Sequence, residues 1–423
     1  MGSYVQLLQS NRDFRNLWLA TLVSYAGDWF NLLASAALIG SLTKSGTAVS
    51  MLFLARFLPL FFFTPLAGIL ADRFDRKRIL VLSDVLRAVT VASLVFVQLT
   101  GQVWLLYLLT VVQFSLSALF APTHSAVLPN LVEEKDLVTA NALDGFTWST
   151  MLAIGALLGG IIASLLGTTA AFLLDALTFL WSAWFISRIV GPTRKEERTG
   201  APTGLLDFVD GLRYLRGEPF ILAIALVKAG GALTWGAIDV LQLPLAADYF
   251  PIGEQGTITL SIFYAVTGVG SGLGPLLVRR WLGDSRRASL QALTVGFVLL
   301  VIGAFGLSQA NTLLAAAGAI LVRTLGGGTI WVFSAALLQT LVADRYRGRV
   351  FSFEFAAFTL TQSIAILWAG MAQDTLGLPL QTIFFYSSVG ALVVALLWLW
   401  VQWSVQQRPG RGELVDGVVE VGD

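Results

Sequence analysis

Apolar residues in this chain come in long blocks broken by short polar stretches, and this limits the fold more than any other feature. Twelve blocks can be drawn, at 14–40, 47–71, 79–99, 102–126, 142–166, 170–190, 219–246, 257–281, 288–308, 312–342, 352–373 and 379–405. Each has about 20 residues or more, enough for a helix to cross a hydrocarbon core of ~30 Å. In lipid the backbone finds no water, so a spanning segment must close its own hydrogen bonds; the blocks read as helices. Glycine and proline interrupt the pattern near Pro244 and at 326–328. With 56% hydrophobic and 13% charged residues, the chain lies outside ordinary soluble usage. The expected fold class is an all-α integral membrane protein of twelve transmembrane helices.

The charges give the blocks a direction. With both termini in the cytoplasm, 22 of the 27 Lys and Arg residues fall on the inner side and one, Lys44, on the outer side. Arg56, Arg87, Lys228 and Arg323 lie within spans. Such a bias orients membrane helices, and an odd number of spans would scramble it. The longest polar stretch, 191–218, separates six spans from six. The expected organisation is a six-helix bundle at 1–190, a cytoplasmic linker at 191–218, a second six-helix bundle at 219–405 and a cytoplasmic tail at 406–423. The tail is polar, acidic and expected to be disordered. Residues 1–13 are polar and carry no cleavable signal pattern, so the first block is expected to stay as a helix. An internal repeat supports two pseudo-symmetric halves: 126–135 aligns with 336–345 at an offset of 210, and the same offset sets Asp144 on Glu354.

Composition also excludes chemistry. The absence of cysteine rules out disulfides, thiol catalysis and Cys-ligated metals, and a single histidine makes a His-based metal cluster implausible. No nucleotide loop or nucleophile motif occurs, and Gly326-Gly327-Gly328 lies inside a span. No enzyme activity, metal, cofactor or nucleic-acid partner is expected.

The second and third spans are joined by Gly68-Ile69-Leu70-Ala71-Asp72-Arg73-Phe74-Asp75-Arg76-Lys77-Arg78, a tight turn held at the membrane surface by its cations. Its pattern, G-x-x-x-D-R-x-x-R-K, resembles the signature of major facilitator superfamily transporters, with Asp75 where the family usually has Gly. Phe120–Val132 followed by Ala140-Asn141-Ala142-Leu143, Ala171–Leu177 and Arg347–Ser352 resemble the branch with macrolide-efflux and enterobactin-export proteins. The resemblance spans both halves. It implies a two-bundle, alternating-access transporter, most often a proton-driven exporter in the bacterial inner membrane, with a small-molecule substrate, protons and the lipid bilayer as partners, working as a monomer. Gly155-Ala156-Leu157-Leu158-Gly159-Gly160 resembles the end of a motif of antiporters, with Ala156 replacing proline. Small residues at this spacing also let helices approach closely, so packing is the alternative reading.

Charges inside a membrane are costly, and each one needs an explanation. On the first span Thr21, Ser24, Asp28, Asn31 and Ser35 recur every three or four residues as one polar stripe, expected to face a hydrated cavity. Arg56 lies at similar depth and can pair with Asp28, either as part of a proton site or as a structural lock. The seventh span offers Lys228, Trp235, Asp239 and Gln242, with residues 228 and 239 nearly eclipsed and able to look into one cavity. Gln113, Trp148, Tyr264, Arg323, Thr361 and Gln362 complete the candidate substrate and proton cavity. Polar anchors among aromatic rings suit an amphipathic organic substrate; most such rings in a membrane protein face lipid or fill helix contacts. Asp28 is the first candidate for the proton-carrying group and Asp239 the second. His124 can titrate near neutral pH or serve as a hydrogen-bonded packing residue.

At the cytoplasmic end a gate is expected from Gly68, Asp72, Arg73, Arg76, Asp84, Arg87, Asp144 and Glu354. Asp72 can latch onto the N-terminus of the eleventh span, while Asp84 and Arg87, three residues apart, satisfy each other locally. Arg76, Lys77 and Arg78 can also hold orientation at anionic lipid. The leading function is a proton-coupled exporter of small amphipathic organic molecules. The alternatives are a facilitator of a lipid-like substrate without proton coupling, or a non-transporting scaffold or receptor on the same fold. A scaffold would have no use for the intramembrane charges.

Overall fold

The structure, a computed structural model, describes residues 2–43, 45–133, 136–191, 204–253, 256–283, 285–342 and 344–406. Each apolar block folds as a helix: α1 Arg12–Leu42, α2 Gly46–Arg73, α3 Arg76–Thr100, α4 Val103–Leu131, α5 Leu137–Leu165, α6 Gly167–Ser187, α7 Pro219–Tyr249, α8 Thr257–Leu282, α9 Arg286–Ser308, α10 Leu313–Leu341, α11 Asp344–Asp374 and α12 Leu380–Gln406. All twelve are long and apolar enough to span a bilayer. No strand occurs among the described residues.

The starts of the helices are written in the sequence as capping residues. Asn11, Ser45, Ser285 and Thr312 accept hydrogen bonds from the backbone N–H three residues on and start α1, α2, α9 and α10. Asp75 does the same for α3, accepting from the Arg78 N–H at 2.9 Å, which gives the acid at this turn a structural role. Gly101 and Gly283, with φ of +66° and +86°, end α3 and α8 in the left-handed region that suits glycine.

Five details differ from expectation. A short helix, Gly2–Ser10, precedes α1, and the polar linker contains a helix, Gly204–Gly217. Pro244 does not end α7; the helix passes into a π-helical turn, Leu245–Tyr249. A second π-turn, Met151–Gly155, lies within α5. Both loosen the regular hydrogen-bond ladder without breaking the helix. The glycine run at 326–328 does not interrupt α10. It lets that helix close on its neighbours, with Gly326 against the backbone of Gly296 and Gly328 against that of Ser271.

The chain forms two compact units. The first comprises Met1–Gly204 with Gln242–Gly268, and so holds α1–α6, the C-terminal end of α7 and the first half of α8. In it α1 lies along α6 and α5, α2 along α4, and α3 against both α6 and α4. Phe14, Leu17, Leu80, Val127, Leu128 and Ile186 form a core at the end of the unit where α1 starts. At that rim Lys77 Nζ donates to the Ile189 carbonyl at 2.7 Å, and Asp13 accepts from the backbone N–H groups of Val190 and Gly191. One cation of the signature turn thereby closes the C-terminal end of α6. The second unit comprises Leu205–Leu241 and Val269–Asp423. There α9 runs between α10 and α12, around a core that includes Phe220, Ile224, Phe297, Leu300, Ile330 and Leu337.

Large apolar side chains such as Leu99, Leu165, Trp281 and Leu314 are exposed along the helices. A soluble protein rarely presents so much apolar surface, whereas a bilayer requires it. The side chains of the expected gate residues Gly68, Asp72 and Arg73 lie outside the described residues, as do the linker segment 192–203 and the tail 407–423.

Candidate functional site

Within the first unit the polar stripe of α1 turns toward α3, α4 and α6. Arg87, on α3, donates from Nη2 to both oxygens of Asp28 at 3.3 Å and from Nη1 to Asp84 at 3.2 Å. Asp84 also accepts from the Ser182 hydroxyl of α6. Gln113, on α4, donates to Asp28 at 3.5 Å and accepts from Asn31 Nδ2 at 3.4 Å, while Ser35 donates to Asn31. Four helices thus meet in one hydrogen-bonded cluster. The Arg87 guanidinium lies 3.9 Å from the ring centre of Phe179, which seals its other face.

Exposure within this cluster is uneven. The Arg87 side chain is 4% exposed and that of Asp84 is fully buried, but the Asp28 side chain is 25% exposed. The cation is fixed inside the bundle and one of its two carboxylates remains reachable. Burying charges this deeply is tolerable only because each has an opposite charge and further hydrogen bonds.

The expected pairing of Asp28 with Arg56 is not formed. Arg87 supplies the cation, from a helix where sequence reasoning gave it only a local partner and a place in the gate. The Arg56 guanidinium instead stacks on Phe114 of α4, 4.4 Å from the ring centre. Depth along the helices suggested Arg56, but which faces turn toward each other decides the pairing, and depth alone is blind to that.

Sequence reasoning also gave no role to the hydroxyl of Ser182 or to Asp175, which is fully buried on α6. Asp175 accepts from Thr178 and lies beside Gly27 of α1, where any Cβ would collide with both residues. The signal was present: an acid inside a predicted span is itself a reason to look.

Elsewhere in the first unit Thr21 Oγ1 lies 3.0 Å from His124 Nε2, and that nitrogen is 4.0 Å from Asp144. His124 is buried and stacked on Phe120, the arrangement of a hydrogen-bonded packing residue. Trp18 Nε1 donates to Thr147 of α5 at 2.7 Å. Trp148 is exposed and joins neither group, and Arg76 sits in the first turn of α3. Tyr264 and Gln242 are buried in this unit, with the Tyr264 ring 5.0 Å from that of Trp29. The glycines of the antiporter-like motif serve contacts here: Gly155 and Gly159 lie against Trp29, and Gly160 against Ser261 and Thr257 of α8.

The second unit builds two ion pairs on α7. Asp239 accepts from Arg323 of α10 at 2.8 Å, and Lys228 lies 3.0 Å from Glu354 of α11. Again the cation is sealed and its acid reachable in one pair, with Arg323 3% and Asp239 29% exposed. Lys228 and Asp239, expected to look into one cavity, are each engaged by a different helix. Glu354, expected at the gate, is buried as the partner of Lys228. Lys228 Nζ also lies 4.3 Å from the ring centre of Trp331, beside a cluster of Trp235, Phe355 and Phe358. Gln362 is buried beside Gly236, and the Thr361 hydroxyl donates to its own helix.

The two units repeat one construction. Gln113 and Arg323 stand 210 positions apart and Asp28 and Asp239 stand 211 apart. In each unit an acid on the leading helix is held by the polar residue on the fourth, at 3.5 Å in one and 2.8 Å in the other.

Comparison with known proteins agrees with this architecture. The sequence pattern of the major facilitator superfamily matches residues 17–365. An uncharacterised MFS-type transporter of Bacillus subtilis, YfiS, is 28% identical over 397 residues, covering 88% of this chain and 90% of that protein. BacE of the same organism, whose name proposes it as a bacilysin exporter, is 26% identical, covering 82% and 85%. Macrolide efflux protein A of Streptococcus pyogenes is 24% identical, covering 86% and 92%. Among solved structures, a bacterial homologue of the human lysosomal transporter Spinster, in an inward-facing conformation, superposes with a TM-score of 0.73 at 14% identity, over 92% of this chain and 96% of that one. The nucleoside transporter NupG gives 0.71 at 12% identity, over 92% and 98%. The chain is a multi-pass membrane transporter, not an enzyme, and belongs to the major facilitator superfamily.

Proposed function

We propose that this protein exports small amphipathic organic molecules from a bacterial cytoplasm by alternating access, coupled to protons moving inward, with both termini in the cytoplasm. Relatives named for efflux and export support the direction. The observation that carries proton coupling is the shared guanidinium: Arg87 holds a reachable carboxylate, Asp28, and a sealed one, Asp84. A proton arriving at Asp28 removes one of the two ion pairs, and Arg87 keeps the other. The tie between α1 and α3 weakens while the buried cation never loses its last counter-charge. A single proton is thereby converted into a change in how two helices are held. Asp239 with Arg323 is the corresponding group of the second half, and the aromatic cluster around Trp235 offers contact area to an apolar substrate body.

The test is accumulation in proteoliposomes under an imposed pH gradient, screened over a panel of amphipathic compounds. The wild-type protein is expected to concentrate at least one compound only while the gradient lasts. Asp28→Asn is expected to lower that accumulation tenfold or more while changing equilibrium binding less than threefold. Normal accumulation by the variant removes Asp28 as the coupling group, and accumulation indifferent to the gradient leaves a facilitator without proton coupling.

A further inference from the structure

Four cations lie deep in the spans, and three of them are held by carboxylates: Arg87, Lys228 and Arg323, at 3.3, 3.0 and 2.8 Å. Arg56 is the exception. Among the described residues it has no carboxylate within ion-pair distance and no hydrogen-bond acceptor for any of its donors, and its Nη1 is fully enclosed. The rest of the side chain is partly exposed. A guanidinium keeps its charge under all physiological conditions, so this one cannot escape the cost of burial by shedding a proton. The Asp28 carboxylate, held by Arg87, acts on it only through space, and a guanidinium with no bonded partner at this depth marks a functional site.

Its setting defines what would complete it. Phe114 covers one face of the guanidinium, its ring centre 4.4 Å from Cζ, and Nη1 is enclosed, so a ligand would meet the fork along the edge of Nε and Nη2. A planar group offering two oxygens matches that edge with two parallel hydrogen bonds. A neutral carbonyl would satisfy donors but not the charge. Arg56 stands ten residues inside α2, ~15 Å along the helix from its outer end, too deep for a lipid headgroup. In the same unit the Tyr264 and Trp29 rings pack 5.0 Å apart and offer aromatic surface to an apolar body.

We infer that Arg56 is the receptor for a carboxylate on the transported molecule, which places amphipathic carboxylic acids in the substrate class. The inference rests on the export reading for its biological sense but is tested without transport. The probes are 3-indolebutyrate and its methyl ester, which share a ring and chain and differ in charge. Binding is measured by equilibrium dialysis against the purified protein in nanodiscs, with empty nanodiscs as the blank. The acid is expected to bind at least tenfold more tightly than the ester. Arg56→Gln is expected to bring that ratio to about one by weakening the acid and sparing the ester, so retained ester binding reports an intact fold. Arg56→Lys, which keeps the charge and loses the fork, is expected to hold an intermediate ratio. A wild-type protein that binds the acid no better than the ester, or variants that both keep the full preference, would overturn the assignment. Because dialysis needs no gradient, a failure of proton-driven export leaves this result standing, and a failure here leaves the export reading untouched.

Discussion

Asp239 and Arg323 separate two meanings that a buried ion pair can have. If the pair mainly stabilises the second unit, replacing both partners with apolar residues of similar size should do little harm, since desolvation cancels much of the attraction. Removing Asp239 alone leaves a guanidinium that is 3% exposed without its counter-charge. Asp239→Leu is therefore expected to lower stability by on the order of 3 kcal/mol, and the double replacement Asp239→Leu with Arg323→Met to recover most of that loss. Thermal unfolding in detergent reads both. Gradient-driven transport should stay abolished in the stable double variant, and its return would reduce the pair to a structural lock. The sequence made the need for such pairs legible, because each intramembrane charge stood out in an apolar block. It did not make the pairing legible. Arg87 reaches across to Asp28 because α1 and α3 present those faces to each other, and Glu354 meets Lys228 for the same kind of reason. Periodicity within one helix says which residues share a face, never which neighbour that face meets.

Contact between elements rests on positions where a side chain is missing. At Gly27 the helices α1 and α6 come so close that a methyl group would collide with Asp175 and Thr178. At Gly160, α5 meets Ser261 and the Thr257 carbonyl of α8 in the same way. Gly27→Ala and Gly160→Ala are expected to destabilise the protein by about 1–3 kcal/mol each, the usual result of forcing a methyl into a packed site. Gly390 on α12 has nothing within 4 Å of where its Cβ would stand. Gly390→Ala is expected to be neutral or slightly stabilising through helix propensity. Melting temperatures of the three variants test the contrast, and equal losses at all three sites would contradict it. The glycine spacing in α5 was visible in the sequence, and packing accounts for it. The two π-turns were not visible, because an extra residue in a helical turn leaves no mark on composition or periodicity.

For the whole molecule, the number of spans was the most legible feature, since it follows from hydrocarbon thickness. Hydropathy gives the twelve lengths, and the Lys and Arg distribution then predicts one topology. That topology is directly testable because the chain has no cysteine of its own, so an introduced thiol is the only one present. Gln102 and Asn311 are exposed in the breaks after α3 and α9, on the side that carries almost no Lys or Arg. Phe74 and Ser187 are exposed after α2 and at the end of α6, on the cation-rich side. In intact cells a membrane-impermeant maleimide is expected to label Gln102→Cys and Asn311→Cys, and to reach Phe74→Cys and Ser187→Cys only after the membrane is opened. The reverse pattern would place the cation-rich turns outside, against the charge bias, and would invert the proposed direction of transport. A mixed pattern, with Gln102→Cys and Asn311→Cys on opposite sides, would mean that one of the helices between them does not cross.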